Sequence, residues 1–334
     1  MAGAGKVVVV TGASRGIGYG IGKELSTRMP GATIYLTTRQ PHLEQMDNNL
    51  RRDIGVSADN ARFRFMDLKD KRSIGKFVDI VKRRHNRLDI LVNNAAVYHK
   101  PPASFHQADL PLHNREVEEI VKTNYLGLKT VTEAFVPVMA SNARIINISS
   151  HLAQLKMFNK SEPNSAKLLE SFTDPNLTMQ TLDNLIKSYV QSIKTGSWSK
   201  AGWPDCAYSV TKMAVNCYTK LLQEKLDKSH PKLGIMVNSL CPGTMHSKMR
   251  LSKEETISMS DSLNITSYLA TLHMGGDCSI PYKKAPRGSV LWHDLSIMNF
   301  PSGNVQEVTW KISTKRDDQV EMSEQDEGRQ GEVD

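Results

Sequence analysis

The sequence predicts an α/β fold built on a doubly wound parallel sheet, and three observations carry that expectation. Short β-branched runs alternate with longer stretches of helical apolar spacing from Lys6 to Ile148. The first of these runs passes directly into a glycine-rich turn that opens a helix. Apolar residues make up 39% of the chain and charged residues 23%, the balance of a globular protein rather than a disordered or fibrous one.

Lys6–Val10 reads as a buried strand, followed by the turn Thr11–Gly18 and a helix to Met29 that Pro30-Gly31 breaks. Ala32–Thr38 is the second strand, followed by a helix from Pro41. Arg62–Met66 is the third, Lys71–His85 a helix, and Leu88–Val92 the fourth strand. One helix over Arg115–Val138 precedes the strand Arg144–Ile148. The rhythm then stops. Residues 151–207 read as an irregular insertion with one amphipathic helix, marked by Leu182, Leu185, Ile186, Tyr189, Val190 and Ile193. A helix from Ala207, a strand at Ile235–Leu240, a helical segment near Lys253–Leu272 and a strand at Gly288–Trp292 complete the pattern. We expect one domain over residues 1–300 including the insertion. The extension 301–334 ends in an acidic tail that lacks apolar periodicity and is expected to be disordered.

The formal net charge of +8 is unevenly placed, because residues 317–334 hold eight acids against one base. The basic remainder is scattered among Arg51-Arg52, Lys82–Arg84 and Lys283-Lys284, which reads as solvated helix faces rather than a nucleic-acid surface. Four cysteines form no CxxC pair, and the ten histidines show no metal-ligand spacing, so no metal is expected. No stretch reaches the ~18 to 20 apolar residues of a membrane span. With no export signal read at the start, the expected compartment is the cytoplasm and no membrane partner is expected.

Chemistry enters at the turn Thr11-Gly12-Ala13-Ser14-Arg15-Gly16-Ile17-Gly18. Between a strand and a helix, Gly12 permits the tight turn, Gly16 lets backbone approach a pyrophosphate and Gly18 allows close helix–strand packing. Ser14, Arg15 and Ile17 complete a cradle at a helix N-terminus, where free N–H groups face an anion. The second strand ends Thr37-Thr38-Arg39, with no acid to bond a ribose 2′-hydroxyl. Arg15 and Arg39 can instead converge on a 2′-phosphate, which selects NADPH as the cofactor. At the other end, Tyr208-Ser-Val-Thr-Lys212 places a phenol and an ammonium on one helical face, and Ser149-Ser150 ends a core strand.

The segments TGASRGIG, NNAA (Asn93–Ala96), NISS (Asn147–Ser150) and YSVTK together resemble the short-chain dehydrogenase/reductase family over about Lys6–Gly243. Within it the chain is similar to the monomeric NADPH-dependent carbonyl reductases. It shares a long Ser-to-Tyr insertion, a Gly202-Trp203-Pro204 lead into Tyr208, and Cys241-Pro242-Gly243 after the sixth strand. The resemblance implies a Rossmann-type sheet and a catalytic set of Asn124, Ser150, Tyr208 and Lys212. Tyr208 would protonate the carbonyl oxygen, helped by the positive field of Lys212, because a free tyrosine has a pKa of about 10. Ser150 would orient the substrate oxygen, and Asn124 would hold a water linking Lys212 to solvent. It also implies cofactor contacts from Tyr208 and Lys212, from Asp67 and Leu68 at the adenine, from Asn94 beneath the nicotinamide pocket, and from Pro242, Gly243, Met245 and Ser247 over the carboxamide. Thr244 stands where the relatives commonly carry a bulky aromatic residue.

The function so implied is NADPH-dependent reduction of aldehydes or ketones, with a small-molecule carbonyl as the only partner. The alternatives are a steroid- or prostaglandin-type alcohol dehydrogenase on the same tetrad, and a non-catalytic NADP(H)-binding sensor or scaffold. In oligomeric relatives the helices after the serine strand form a dimer face. The helix at 178–194 would cover that face, so a monomer is expected. His151 and Cys241 are read as a loop histidine and a buried inert thiol.

Overall fold

The computed structural model describes residues 5–99 and 110–242, positions 266 and 270, and three short strands farther along the chain. Its sheet has nine strands in the order β3-β2-β1-β4-β5-β6-β7-β8-β9. The strands are β1 Val7–Val10, β2 Thr33–Thr38, β3 Ala61–Phe65, β4 Leu88–Asn93, β5 Met139–Ile148, β6 Met236–Leu240, β7 Val290–Leu291, β8 Ile297–Met298 and β9 Val305–Gln306. Pairing is parallel as far as β7 and antiparallel for β7–β8 and β8–β9. The doubly wound parallel sheet is therefore present, with an antiparallel edge that the sequence did not announce. Two-residue strands are too short to leave a periodic signature.

The helices are α1 Gly16–Arg28, α2 Leu43–Ile54, α3 Lys71–His85, α4 Leu110–Val121, α5 Leu128–Phe135, α6 Pro163–Thr173, α7 Met179–Lys194 and α8 Ala207–Ser229. Period-two alternation in β1 separates the two cores directly. Val7 and Val9 join Phe77, Leu128, Phe172, Ile186 and Met213 on the face of α3 and α5–α8. Val8 and Val10 join Ile21 and Leu50 on the face of α1 and α2. Because β2 and β3 lie on one side of β1 and β4 on the other, the crevice at the carboxyl ends of β1 and β4 is the topological switch point.

Three expectations change. The single helix over Arg115–Val138 starts at Leu110, passes through a π-turn at Lys122–Gly127 and ends in a 3-10 turn at Val136–Val138. The strand expected from Arg144 begins at Met139. The insertion holds two helices, not one. Glu162 caps α6 by accepting from the backbone N–H of Asn164 at 3.1 Å and of Ser165 at 3.3 Å, with Pro163 at the first helical position. Thr178 caps α7 through the N–H of Thr181 at 3.1 Å. Trp203 ties the insertion together, its ring 5.0 Å from Tyr189 and 6.0 Å from Phe172. Gly202 beside it has φ +81°, and a Cβ there would stand 2.3 Å from the nitrogen of Ser165. The expected helix near Lys253–Leu272 lies outside the described residues, apart from Thr266 and Ala270, which are helical. The acidic tail lies outside them altogether.

One buried charge pins the central strands. Asp89, 1% exposed on β4, accepts from the backbone N–H of Val7 at 2.9 Å and from Arg87 at 2.6 and 2.9 Å, with Lys6 at 3.1 Å. Burial alone would raise its pKa, but these donors outweigh that and hold it below the usual carboxylate range. The sign follows: its stabilisation is present above about pH 4 and is lost as pH falls through the lowered folded value. Asp89→Ala, which strands a buried N–H and two cations, should cost about 3 kcal/mol in urea unfolding at neutral pH. The difference from the parent should shrink in acid.

Candidate active site

The turn after β1 is fixed before any ligand is considered. Asn94 donates through Nδ2 to the carbonyls of Thr11 at 2.9 Å and Gly12 at 3.0 Å. In return, Thr11 Oγ1 accepts from the backbone N–H groups of Asn94 and Ala95, both at 3.0 Å. Gly12 and Gly16 adopt φ +63° and +58°, which disfavour any L side chain. A Cβ on Gly12 would stand 2.6 Å from the Cα of Ala95, and one on Gly18 would stand 2.3 Å from Asn94 Nδ2. Asn94, expected beneath the nicotinamide pocket, thus spends its side chain on locking the glycine turn.

The rim of that turn has the chemistry of a pyrophosphate cradle. Helix α1 starts at Gly16 with no side-chain cap from Arg15 and no acid in its first turn. Its first N–H groups and dipole are therefore free of a competing carboxylate. Arg15 and Gly16 are exposed and Ser14 and Ile17 half-buried, while a side chain at Gly16 would point into open space. The residues present fit a dinucleotide.

Of the pair expected at the adenine, Leu68 is buried, and Asp67 turns its carboxylate back to accept from the backbone N–H of Lys69 at 2.9 Å. Arg39 at the end of β2 lies 3.5 Å from Glu119 on α4, a residue that sequence reasoning did not single out. Lys69, also unremarked, joins the same carboxylate at 2.9 Å.

Three residues of the expected tetrad, Ser150, Tyr208 and Lys212, come together past the carboxyl end of β5, and Asn124 approaches them through Thr211 of α8. Asn124 sits in the π-turn with no exposure, accepting from the N–H of Val97 at 2.8 Å and donating to its carbonyl at 2.9 Å. It also reaches Thr211 Oγ1 on α8 at 3.5 Å. Such a π-turn aims a side chain out of the regular helical ladder, which apolar spacing cannot foretell. Gly127 closes the turn, where a Cβ would stand 2.8 Å from the carbonyl oxygen of Leu68.

Tyr208 and Lys212 occupy successive turns of α8, the ammonium 5.6 Å from the phenol ring centroid. Burial raises the Tyr208 pKa above its ordinary value and Cys241 adds to the rise, while a hydrogen bond with Ser150 opposes it. Desolvation, rather than the Lys212 field expected from the sequence, is the first influence on this phenol. Lys212 donates to the carbonyl of Ile148, and burial pulls its pKa down to about 8. The ring of Tyr98 meets that of Tyr208 edge-on at 5.5 Å, and both line a cleft with His99, Tyr189 and Cys206. Pro242 is buried just after β6. Gly243, Met245 and Ser247 lie outside the described residues, as does Thr244.

The comparisons with known proteins agree with this geometry. Residues 6–174 match the family described as short chain dehydrogenase. The chain is 30% identical to "Carbonyl reductase [NADPH] 3" of Homo sapiens over 300 residues, 90% of this chain and 100% of that relative. It is 30% identical to "Carbonyl reductase [NADPH] 1" of Bos taurus over 73% of this chain and 83% of that one. Among solved structures, salutaridine reductase from Papaver somniferum superposes with a TM-score of 0.68 at 25% identity, covering 85% of this chain and 99% of that chain. Menthone neomenthol reductase from Mentha piperita gives 0.66 at 26% identity, covering 86% and 99%.

The Lys212 ammonium defines a pH dependence. Its pKa of about 8 means the charge is present below that pH and lost as pH rises through it. Any turnover that needs the cation should therefore fall in kcat/KM above about pH 8, since that ratio reports free-enzyme ionisations. A profile that stayed flat from pH 7 to 9.5 would remove Lys212 from the reaction.

Proposed function

The chain belongs to the short-chain dehydrogenase family, and from that premise we propose that it reduces aldehyde or ketone carbonyls to alcohols with NADPH. The observation that carries this reading is the meeting of Tyr208, Ser150 and Lys212 past the carboxyl end of β5, in a sheet whose β1 ends in a glycine turn with free helix N–H groups. The carbonyl reductases it resembles over most of its length support the NADPH assignment. The absence of an acid at the end of β2 points the same way.

The residues that would hold the dinucleotide are Gly12, Ser14, Gly16, Ile17 and Gly18 at the pyrophosphate, with Arg15 and Arg39 at the 2′-phosphate. Asp67 and Leu68 would lie at the adenine, and Tyr208 and Lys212 at the nicotinamide ribose. NADPH, when bound, supplies hydride to the carbonyl carbon. Tyr208, kept protonated at neutral pH by its burial, gives its proton to the carbonyl oxygen. Ser150 donates its hydroxyl hydrogen to the same oxygen and orients it, and its existing bond to the phenol puts the two groups within one substrate atom's reach. Lys212, charged below about pH 8, stabilises the phenolate left behind. The phenolate regains its proton at the expense of the Lys212 ammonium, and a water seated by Asn124 restores that proton from solvent; the bonds of Asn124 to Val97 and Thr211 support its place in this relay.

Among the described residues no helix is long and apolar enough to cross a membrane. We place the protein in the cytoplasm, a reading supported by Cys206, Cys217 and Cys241 standing as thiols. We read it as a monomer, a reading supported by the packing of α7 against α4 and α8, where it would cover the face expected to pair in oligomers.

Two measurements test these assignments. Tyr208→Phe should lower carbonyl-dependent NADPH oxidation by at least about a thousandfold while NADPH affinity stays within about threefold, since a proton donor acts mainly in the transition state. A variant retaining full rate would refute the mechanism. Light scattering should return a mass near the 37.3 kDa of one chain, and a stable dimer mass would overturn the monomer.

A further inference from the structure

Three side chains from three separate segments converge on the carboxylate of Glu119. Lys69 Nζ, in the turn after β3, lies 2.9 Å from Oε1, and Arg39, just past β2, lies 3.5 Å from the same oxygen. His99, beyond β4, places Nε2 3.1 Å from Oε2. Hydrogen bonds from Lys69 and then His99 hold the Glu119 carboxyl down at about 2 against its partial burial, so it is an anion at every working pH. Lys69 and Arg39 thus aim two cations at one anionic oxygen, the arrangement that a phosphomonoester oxygen would command. Arg39 is also the residue that the cofactor reading above gives to the 2′-phosphate. Glu119 belongs to neither the glycine turn nor the tetrad.

We propose that Glu119 is a specificity-determining residue, a built-in anion that occupies Arg39 and Lys69 and that the 2′-phosphate of NADPH must displace. This rests on the NADPH reading and adds Lys69 to the residues that would meet the phosphate. The chemistry favours displacement. A carboxylate offers one negative charge and two oxygens, whereas a phosphomonoester carries nearly two charges on three oxygens. NADH carries a 2′-hydroxyl and has nothing with which to compete. Glu119 therefore weakens NADPH binding selectively, and lowers the preference for NADPH over NADH that Arg39 creates.

Glu119→Gln keeps the size of the side chain and removes the charge. In fluorescence titrations of the full chain without substrate, it should tighten NADPH binding about three- to tenfold, the scale of a partly screened ion pair. NADH affinity should move by less than about twofold. In an Arg39→Ala background the gain from Glu119→Gln should shrink, since only Lys69 is left to release. Glu119→Asp, which withdraws the carboxylate by one methylene, should shift NADPH affinity in the same direction by less and serves if Glu119→Gln folds poorly. Unchanged or weaker NADPH binding in Glu119→Gln, with Arg39→Ala still losing NADPH affinity, overturns the competition and leaves the cofactor reading standing. An Arg39→Ala variant that binds NADPH as tightly as the parent overturns the cofactor reading of Arg39 and the competition with it.

Discussion

The molecule depends on how closely the turn after β1 approaches the end of β4. Gly12 lies against the backbone of Ala95 and Gly18 against Asn94 at separations that no Cβ would survive. That contact is locked from both sides, by Asn94 donating to two carbonyls of the turn and by Thr11 accepting two N–H groups of the β4 end. Once β1 and β4 are neighbours with β2 and β3 beyond β1, a crevice must open at their carboxyl ends. The glycines are needed first for packing, and the cradle follows from that packing. At Gly16 the order reverses, because its side-chain direction meets open space and only its backbone conformation demands glycine.

Burial then sets the electrostatics of the reactive end. Desolvation moves Tyr208 and Lys212 in opposite directions, up for the phenol and down for the ammonium. A site organised this way holds a neutral acid beside a cation that is only just retained near neutrality. That state suits proton delivery to an oxygen acquiring charge, because the phenolate formed finds an ammonium nearby and Ser150 within hydrogen-bond reach. Tyr98, stacked edge-on against Tyr208, and Tyr189 add apolar wall to this dry surface.

Much of this was legible in the sequence, for identifiable reasons. Strands β1 and β4 are buried on both faces and β2 nearly so, and their apolar runs stand out, while β3 alternates Arg with Phe at the edge of the parallel set. The glycine turn and the Tyr208–Lys212 spacing are local patterns that one helix or turn determines. What stayed hidden is non-local or irregular. The π-turn around Asn124 breaks helical periodicity only where Val97 and Thr211 draw the side chain away. Helix α6 lacks a clean apolar stripe and depends on the Glu162 cap and on the contact between Gly202 and Ser165. Arg39 illustrates the limit well. The sequence could place it at the end of β2, but not show that Glu119, 80 residues away, holds its guanidinium.

The insertion does more than cover a face. Tyr125, next to Asn124 in the π-turn, donates to Asp183 of α7 at 2.8 Å, and Lys129 of α5 pairs with the same carboxylate at 2.5 Å. Lys194 at the other end of α7 reaches Glu118 of α4 at 2.9 Å. Helix α7 therefore grips the helix that carries Asn124 on both sides of its irregular turn. A π-turn costs regular backbone hydrogen bonds, and something outside the helix must hold it in register. The half-buried Tyr125–Asp183 bond does so here, linking the insertion mechanically to the geometry of the proposed proton relay. The long segment between Ser150 and Tyr208 thus belongs to the scaffold of the candidate active site as much as to the surface.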